Sequence, residues 1–179
     1  MPQDNLPTSL FQPIKKNIIM NYSIRKIKIA ENLPIVDELV GELHISEKEM
    51  NNKTADWNKI RENYLRFMTE CEEENDGTFL IAEIDGKAIG FLFGYIDERD
   101  DSNFESGEGD DVYVSEGYVK KEFRKQGIYS ALNKAFEEAY TDYKIRKIYR
   151  YTLCSNDTMQ RWLSSQGYQP VRLVYEKWL

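Results

Sequence analysis

Tyr118-Val-Lys-Lys-Glu-Phe-Arg124-Lys-Gln-Gly127-Ile-Tyr-Ser130 is the stretch on which the reading of this chain turns. A strand-like apolar run ends at Val119. A short basic loop follows, and it opens directly into a helix. Ile128, Ala131, Leu132, Ala135, Phe136 and Ala139 recur at helical spacing, the cleanest amphipathic pattern in the chain. The N–H groups of a helix's first turn have no intrahelical acceptor, and the helix dipole is positive there. A loop feeding such a turn is an anion cradle. Gly127 lets the backbone approach a diphosphate closely, and Lys120, Lys121, Arg124 and Lys125 add positive charge. A plain basic surface turn has the same composition, so the loop alone leaves both readings open. It is neither a Walker A loop, which needs Gly-x4-Gly-Lys-Ser/Thr, nor a dinucleotide fingerprint, which needs three glycines.

Outward from this loop the elements alternate. Residues 24–29 read as a strand. Ile35, Val36, Leu39, Val40 and Leu43 then repeat at helical spacing, with Pro34 suited to a first helical turn. A polar, irregular segment runs to Thr54. A second helix carries Trp57, Ile60, Tyr64, Phe67, Met68 and Cys71 on one face, with Thr54 or Asp56 as its N-cap. Phe79–Ile84 and Ala88–Ile96 flank Asp85-Gly86 and predict a hairpin with a tight turn. A strand is expected over 112–119 and another over 148–154. A short helix over 157–166 is closed by Gly167, and a last strand is expected over 171–178. The order is that of an α/β (α+β) layer structure with a mixed, mostly antiparallel central sheet covered by helices on both faces. Residues 1–21 read as an N-terminal arm, and residues 22–179 as one domain.

The composition sets limits on function. The 179 residues suit one domain that needs no disulfide or metal staple. Cys71 and Cys154 are too few for a disulfide scaffold or a cysteine-rich zinc site. A net charge of -7 argues against a nucleic-acid partner. No apolar run approaches membrane-spanning length, and the first residues do not read as a secretory signal. The expectation is a cytoplasmic protein without membrane or metal. With His44 as the sole histidine, few hydrolase designs fit.

On further motifs the chain resembles the GCN5-related N-acetyltransferases (GNAT family). Arg124-Lys-Gln-Gly127-Ile-Tyr129 is similar to that family's Gln/Arg-x-x-Gly-x-Gly/Ala acetyl-CoA motif, with Tyr129 in place of the final small residue. The hairpin Ile84-Asp-Gly-Lys-Ala-Ile-Gly-Phe91 resembles the family's central hairpin. Asn156-x-x-Met159-x-x-Trp162-Leu163-x-x-x-Gly167-Tyr168 resembles its later Asn-x-x-Ala-x-x-Phe-Tyr-x-x-x-Gly-Phe helix, and Tyr175-Glu-Lys-Trp-Leu its closing strand. The similarity covers about residues 23–179.

The resemblance implies the GNAT fold and direct transfer of acetyl from acetyl-CoA to a primary amine. Tyr118 and Val119 would pair with the pantetheine arm, with the Val119 N–H on the thioester carbonyl. Backbone N–H groups of Lys125, Gln126, Gly127, Ile128, Tyr129 and Ser130 would hold the diphosphate beside Arg124. Asn156 would bond the arm, and it reads equally as a helix N-cap. The family's glutamate base falls at Tyr113. Glu116 is then the candidate base if a β-bulge shifts the register, with Asp110, Asp111 or a water chain as alternatives. The family's tyrosine acid falls at Leu163, so a proton would come from water or a hydroxyl such as Tyr129, or be dispensable. A homodimer is compatible with the family.

Three side readings complete the sequence. Eight of the fifteen residues over 97–111 are acidic against one arginine, which is either a solvated loop or an edge that attracts a cationic acceptor: a small amine or a basic peptide. His44 borders the expected acceptor side. Cys154 reads as a buried apolar residue. A non-catalytic acyl-CoA-binding or interaction domain on the same fold is the alternative reading, motivated by Tyr113, Tyr129 and Leu163.

Overall fold

A computed structural model describes residues 21–99 and 105–179. The elements run β1 (Ser23–Ile27), α1 (Leu33–Met50), α2 (Trp57–Glu74), β2 (Thr78–Ile84), β3 (Lys87–Asp97), β4 (Asp110–Val119), α3 (Ile128–Glu138), β5 (Ile145–Tyr149) and α4 (Asp157–Ser165). A single 3-10 turn, Lys121–Phe123, lies between β4 and α3. The five strands lie in sequence order in one sheet, antiparallel except where β4 meets β5 in parallel.

The hairpin forms as its turn chemistry requires. Asp85 and Gly86 both have positive φ, 49° and 75°, the pair that lets β2 and β3 keep their natural twist across a two-residue turn. Both strands are apolar on both faces because both faces are covered. One cluster joins Phe79, Ile81, Phe91 and Phe93 to Val36, Leu39, Val40 and Leu43 of α1 and Met68 and Cys71 of α2. The other joins Leu80, Leu92, Val112 and Val114 to Ile128, Leu132 and Phe136 of α3. α1 and α2 therefore lie on one face of the sheet and α3 on the other.

The fifth strand lies at Ile145–Tyr149 rather than over 148–154, and three further expectations need correction. α1 continues through the polar segment to Met50, because its inner face still meets the second helix at His44 while Glu47, Lys48 and Glu49 turn outward or edgewise. Residues 168–179 form no strand. Their alternation is strand-like, but a strand needs a backbone partner, and β5 ends at Tyr149. Val171, Leu173, Val174, Tyr175 and Trp178 stand exposed. Cys154 is exposed in a turn, not buried. The expected arm over residues 1–21 lies, but for Asn21, outside the described residues.

Candidate active site at the parting of β4 and β5

The sheet opens at one place. β4 and β5 pair only from Asp110↔Ile145 to Tyr113↔Tyr149. β4 then runs on to Val119 while β5 stops, so among the described residues the edge of β4 from 114 to 119 that faces away from β3 has no neighbouring strand. The Lys120 N–H bonds to Ile89 O across the β3 side. By strand alternation, Gly117 and Val119 turn their N–H groups to the open side. An extended amide chain laid there would find strand-like partners.

Beside this edge sits the cradle. Gly127 is the N-cap of α3 with φ 80°, and Lys125 also has positive φ, 62°. A Cβ on Gly127 would meet nothing within 4 Å, so the space before the helix is open. Among the described residues no backbone carbonyl accepts from the N–H groups of residues 125–130. Six consecutive donors around two left-handed residues form a concave anion site. These observations fit the diphosphate of a CoA molecule.

The charges around the cradle differ from expectation. Lys120 turns away to Glu38 and Glu42, and Lys121 to Glu49, all on α1. Arg124 donates its Nε to Val119 O at 2.8 Å and lies over the Tyr118 ring. The local positive field rests mainly on backbone N–H groups and Lys125. Tyr129 does not crowd the cradle. Its ring points inward, edge-on to Trp162 with centroids 4.8 Å apart. Asn156 accepts from Met159 N at 3.1 Å and caps α4. Leu163 sits on α4, where it offers no proton.

On the opposite face the bulge decides the geometry. β3 pairs Phe93 with Glu116 but Gly94 with Val114, so Ser115 is an extra residue. This puts Tyr113 and Glu116 on the same face, three residues apart, under α1 and α2. Tyr64 of α2 donates its hydroxyl to Glu116 Oε1. Glu116 retains some solvent contact but is enclosed by protein on most sides. Burial pushes its carboxyl up to about 7; the Tyr64 bond works against that rise and nearby Glu47 adds to it. A group that changes charge near neutrality is suited to take a proton from an ammonium.

Around Glu116 is a set of rings and acids. Tyr113 stacks on Tyr149 at 5.0 Å and meets Tyr95 and Tyr151 edge-on. Tyr149 donates to Asp97 at 2.7 Å. His44 is buried between Trp57 and Tyr64, with Nδ1 unpartnered among the described residues and its pKa lowered by burial. Tyr64 and Glu47 carry no mark of a site in the sequence. Tyr64 sits in the apolar repeat of α2 and reads there as core; only the pairing with Glu116 reveals it.

Several carboxylates of the acidic loop carry cations of their own. Arg146 holds Asp111 with two bonds, of 2.8 and 2.6 Å, and reaches Glu105 at 3.0 Å. Lys147 and Arg172 also bind Glu105, and Lys144 binds Glu108. Burial pulls the Asp111 carboxyl up, but Arg146 and Lys147 outweigh that and hold its pKa low. Residues 100–104 of that loop lie outside the described residues. Among the described residues no cluster could hold a metal ion, and no helix is long and apolar enough to cross a membrane.

Residues 42–168 match the family model described as the acetyltransferase (GNAT) family. No curated protein matches the chain. A mutant of the BH1408 protein from Bacillus halodurans has a similar structure, with 18% identity and a TM-score of 0.72 over 88% of this chain and 99% of that one. An integron cassette protein from Vibrio cholerae has 18% identity and a TM-score of 0.64, covering 89% and 93%. The aminoglycoside N-acetyltransferase AAC(6')-Iy, solved with CoA, has 19% identity and a TM-score of 0.63, covering 88% and 99%. At these identities the structures establish a shared fold.

Proposed function

The chain belongs to the acetyltransferase (GNAT) family, and on that premise we propose that it transfers acetyl from acetyl-CoA to the primary amine of a small cationic acceptor. The observation that carries the reading is the open edge of β4, with a diphosphate cradle on one face and a raised carboxyl on the other. The aminoglycoside enzyme that shares the fold is named for transfer to an amino sugar and was solved with CoA, and its chemistry suits this arrangement.

Residues 125–130 would hold the diphosphate through backbone N–H groups, and Gly117 and Val119 would hold the arm along β4. Acetyl-CoA supplies the activated acyl group. Glu116 removes a proton from the acceptor ammonium, since the protonated amine has no lone pair to attack with. The Val119 N–H, pointing to the open side, would stabilise charge developing on the carbonyl oxygen. Tyr95, Tyr113, Tyr149 and Tyr151 offer ring faces to a cation, and Glu47 and Asp97 add negative charge. This wall adds to the field of the acidic loop, where Glu105, Glu108 and Asp111 are paired with lysines and arginines.

The test is thiol release from acetyl-CoA with a panel of polyamines, amino sugars and basic peptides, beside calorimetry of CoA. Micromolar CoA binding and turnover with at least one cationic amine are expected. Binding without turnover on any amine would instead establish a non-catalytic acyl-CoA-binding domain. Absence of CoA binding would overturn the reading.

A further inference from the structure

The two faces of β4 present different chemistry at neighbouring residues. Glu116 lies on the α1–α2 face. At Gly117 the opposite face is occupied by Tyr129: a Cβ there would fall 2.7 Å from the Tyr129 hydroxyl oxygen. The acceptor wall is on the Glu116 side, and the cradle that begins α3 is on the other. An acyl carbon held at the edge between them would meet the amine from one face and release sulfur toward the other.

Tyr129 is prepared for that position. Arg150, the residue directly after β5, donates from one terminal nitrogen to the Tyr129 hydroxyl oxygen at 3.3 Å. The hydroxyl is thus an acceptor from Arg150, and among the described residues its own hydrogen has no acceptor. Arg150's other terminal nitrogen donates to Asn133 Oδ1 at 2.6 Å and to the Tyr168 hydroxyl at 2.9 Å. Its Nε is buried and among the described residues has no partner. The guanidinium also lies over the Tyr168 and Trp162 rings, at 4.8 and 5.6 Å. Every partner is neutral, and among the described residues no carboxylate pairs with it. A half-buried cation with only neutral partners favours an anion forming beside it.

We propose that Tyr129, backed by Arg150, is the leaving-group site of the transfer: its hydroxyl donates a hydrogen bond to the CoA sulfur as that atom takes up negative charge. The assignment rests on the acetyl-CoA reading above. When nitrogen forms its bond to the acyl carbon, the carbon–sulfur bond breaks and its electron pair stays on sulfur, and the second proton that the nitrogen loses on becoming an amide passes to solvent. Glu116 holds the proton taken from the amine. The Tyr129 hydroxyl and the Arg150 charge stabilise the thiolate until it leaves and is protonated by solvent. Arg150 acts through Tyr129 and is a positioning residue. This arrangement replaces the hydroxyl that Leu163 cannot provide.

The experiment uses free CoA and needs no turnover. The thiol of CoA bound to the full chain is titrated by its thiolate ultraviolet absorbance, with the desulfo-CoA complex as blank. The charged and titratable groups facing the Tyr129 hydroxyl are Arg150 from the end of β5, Tyr168 after α4 and Glu116 on β4. Glu137 is one step further off, bonded by Asn133 at 2.8 Å. The bound thiol is expected to ionise at least about tenfold more readily than a free thiol, whose pKa is near ~8.5. Arg150→Met should abolish that gain, and Tyr129→Phe should remove part of it while CoA still binds. A bound thiol that titrates like the free one, or a gain unchanged in both variants, overturns the assignment. Should Arg150→Met fail to fold, Tyr129→Phe decides alone, since it deletes one oxygen and keeps the ring against Trp162. Loss of all CoA binding by the unaltered chain would overturn the acetyl-CoA reading with it; binding without the gain overturns only the leaving-group site.

Discussion

Replacing Glu116 by glutamine separates what the carboxylate costs the fold from what it contributes to chemistry. Its folded-state pKa is about 7, against 4.5 for an unperturbed glutamate. Between those values the folded chain binds this proton more tightly than the unfolded chain. The group therefore favours folding least above 7, and the cost disappears as pH falls below about 4.5. At 1.36 kcal/mol per unit the ceiling is about 3 kcal/mol. Remaining solvent contact reduces this to about 1–3 kcal/mol. Glutamine keeps an oxygen to accept from Tyr64 and carries no charge. Glu116→Gln should thus be about 1–3 kcal/mol more stable than the parent at pH 8 and equal to it at pH 4, as read by urea unfolding at both values. The rate should move the other way. Loss of a positioned base costs about 10²–10⁴-fold. The parent's kcat/KM should rise with pH through a limb near 7, and the variant should lack that limb. The reasoning is refuted if the stability difference is the same at pH 4 and pH 8, or if the variant keeps both rate and limb.

Two further outcomes test the CoA side. Gly127→Ala places a side chain at φ 80° without meeting any atom within 4 Å, so the cost is conformational: about 1 kcal/mol in unfolding. CoA affinity by calorimetry should fall at least about tenfold as the cradle relaxes, in line with the directional demands of backbone donors. Asn156→Ala removes the acceptor for Met159 N and should cost about 1 kcal/mol of stability. A larger loss in CoA affinity than in stability would add a ligand contact to the capping role.

What the sequence determined by itself is local. Periodicity placed the helices and the hairpin, because burying one face of a helix or both faces of a strand writes a repeat into the chain. Gly127 and the helix behind it marked the cradle, because unpaired N–H groups and positive φ are properties of a few adjacent residues. The tertiary structure decided whatever depends on partners distant in sequence. The bulge at Ser115 exists only in the pairing of β3 with β4, and it turns Glu116 to the face where Tyr64, 52 residues away, can bond it. Lys120 and Lys121 look like cradle cations until α1 presents Glu38, Glu42 and Glu49 to them. Residues 171–178 have a strand's alternation but no strand, because alternation describes one edge while pairing requires two. Electrostatic and hydrogen-bond partners are chosen by proximity in space, and no spacing along the chain encodes that.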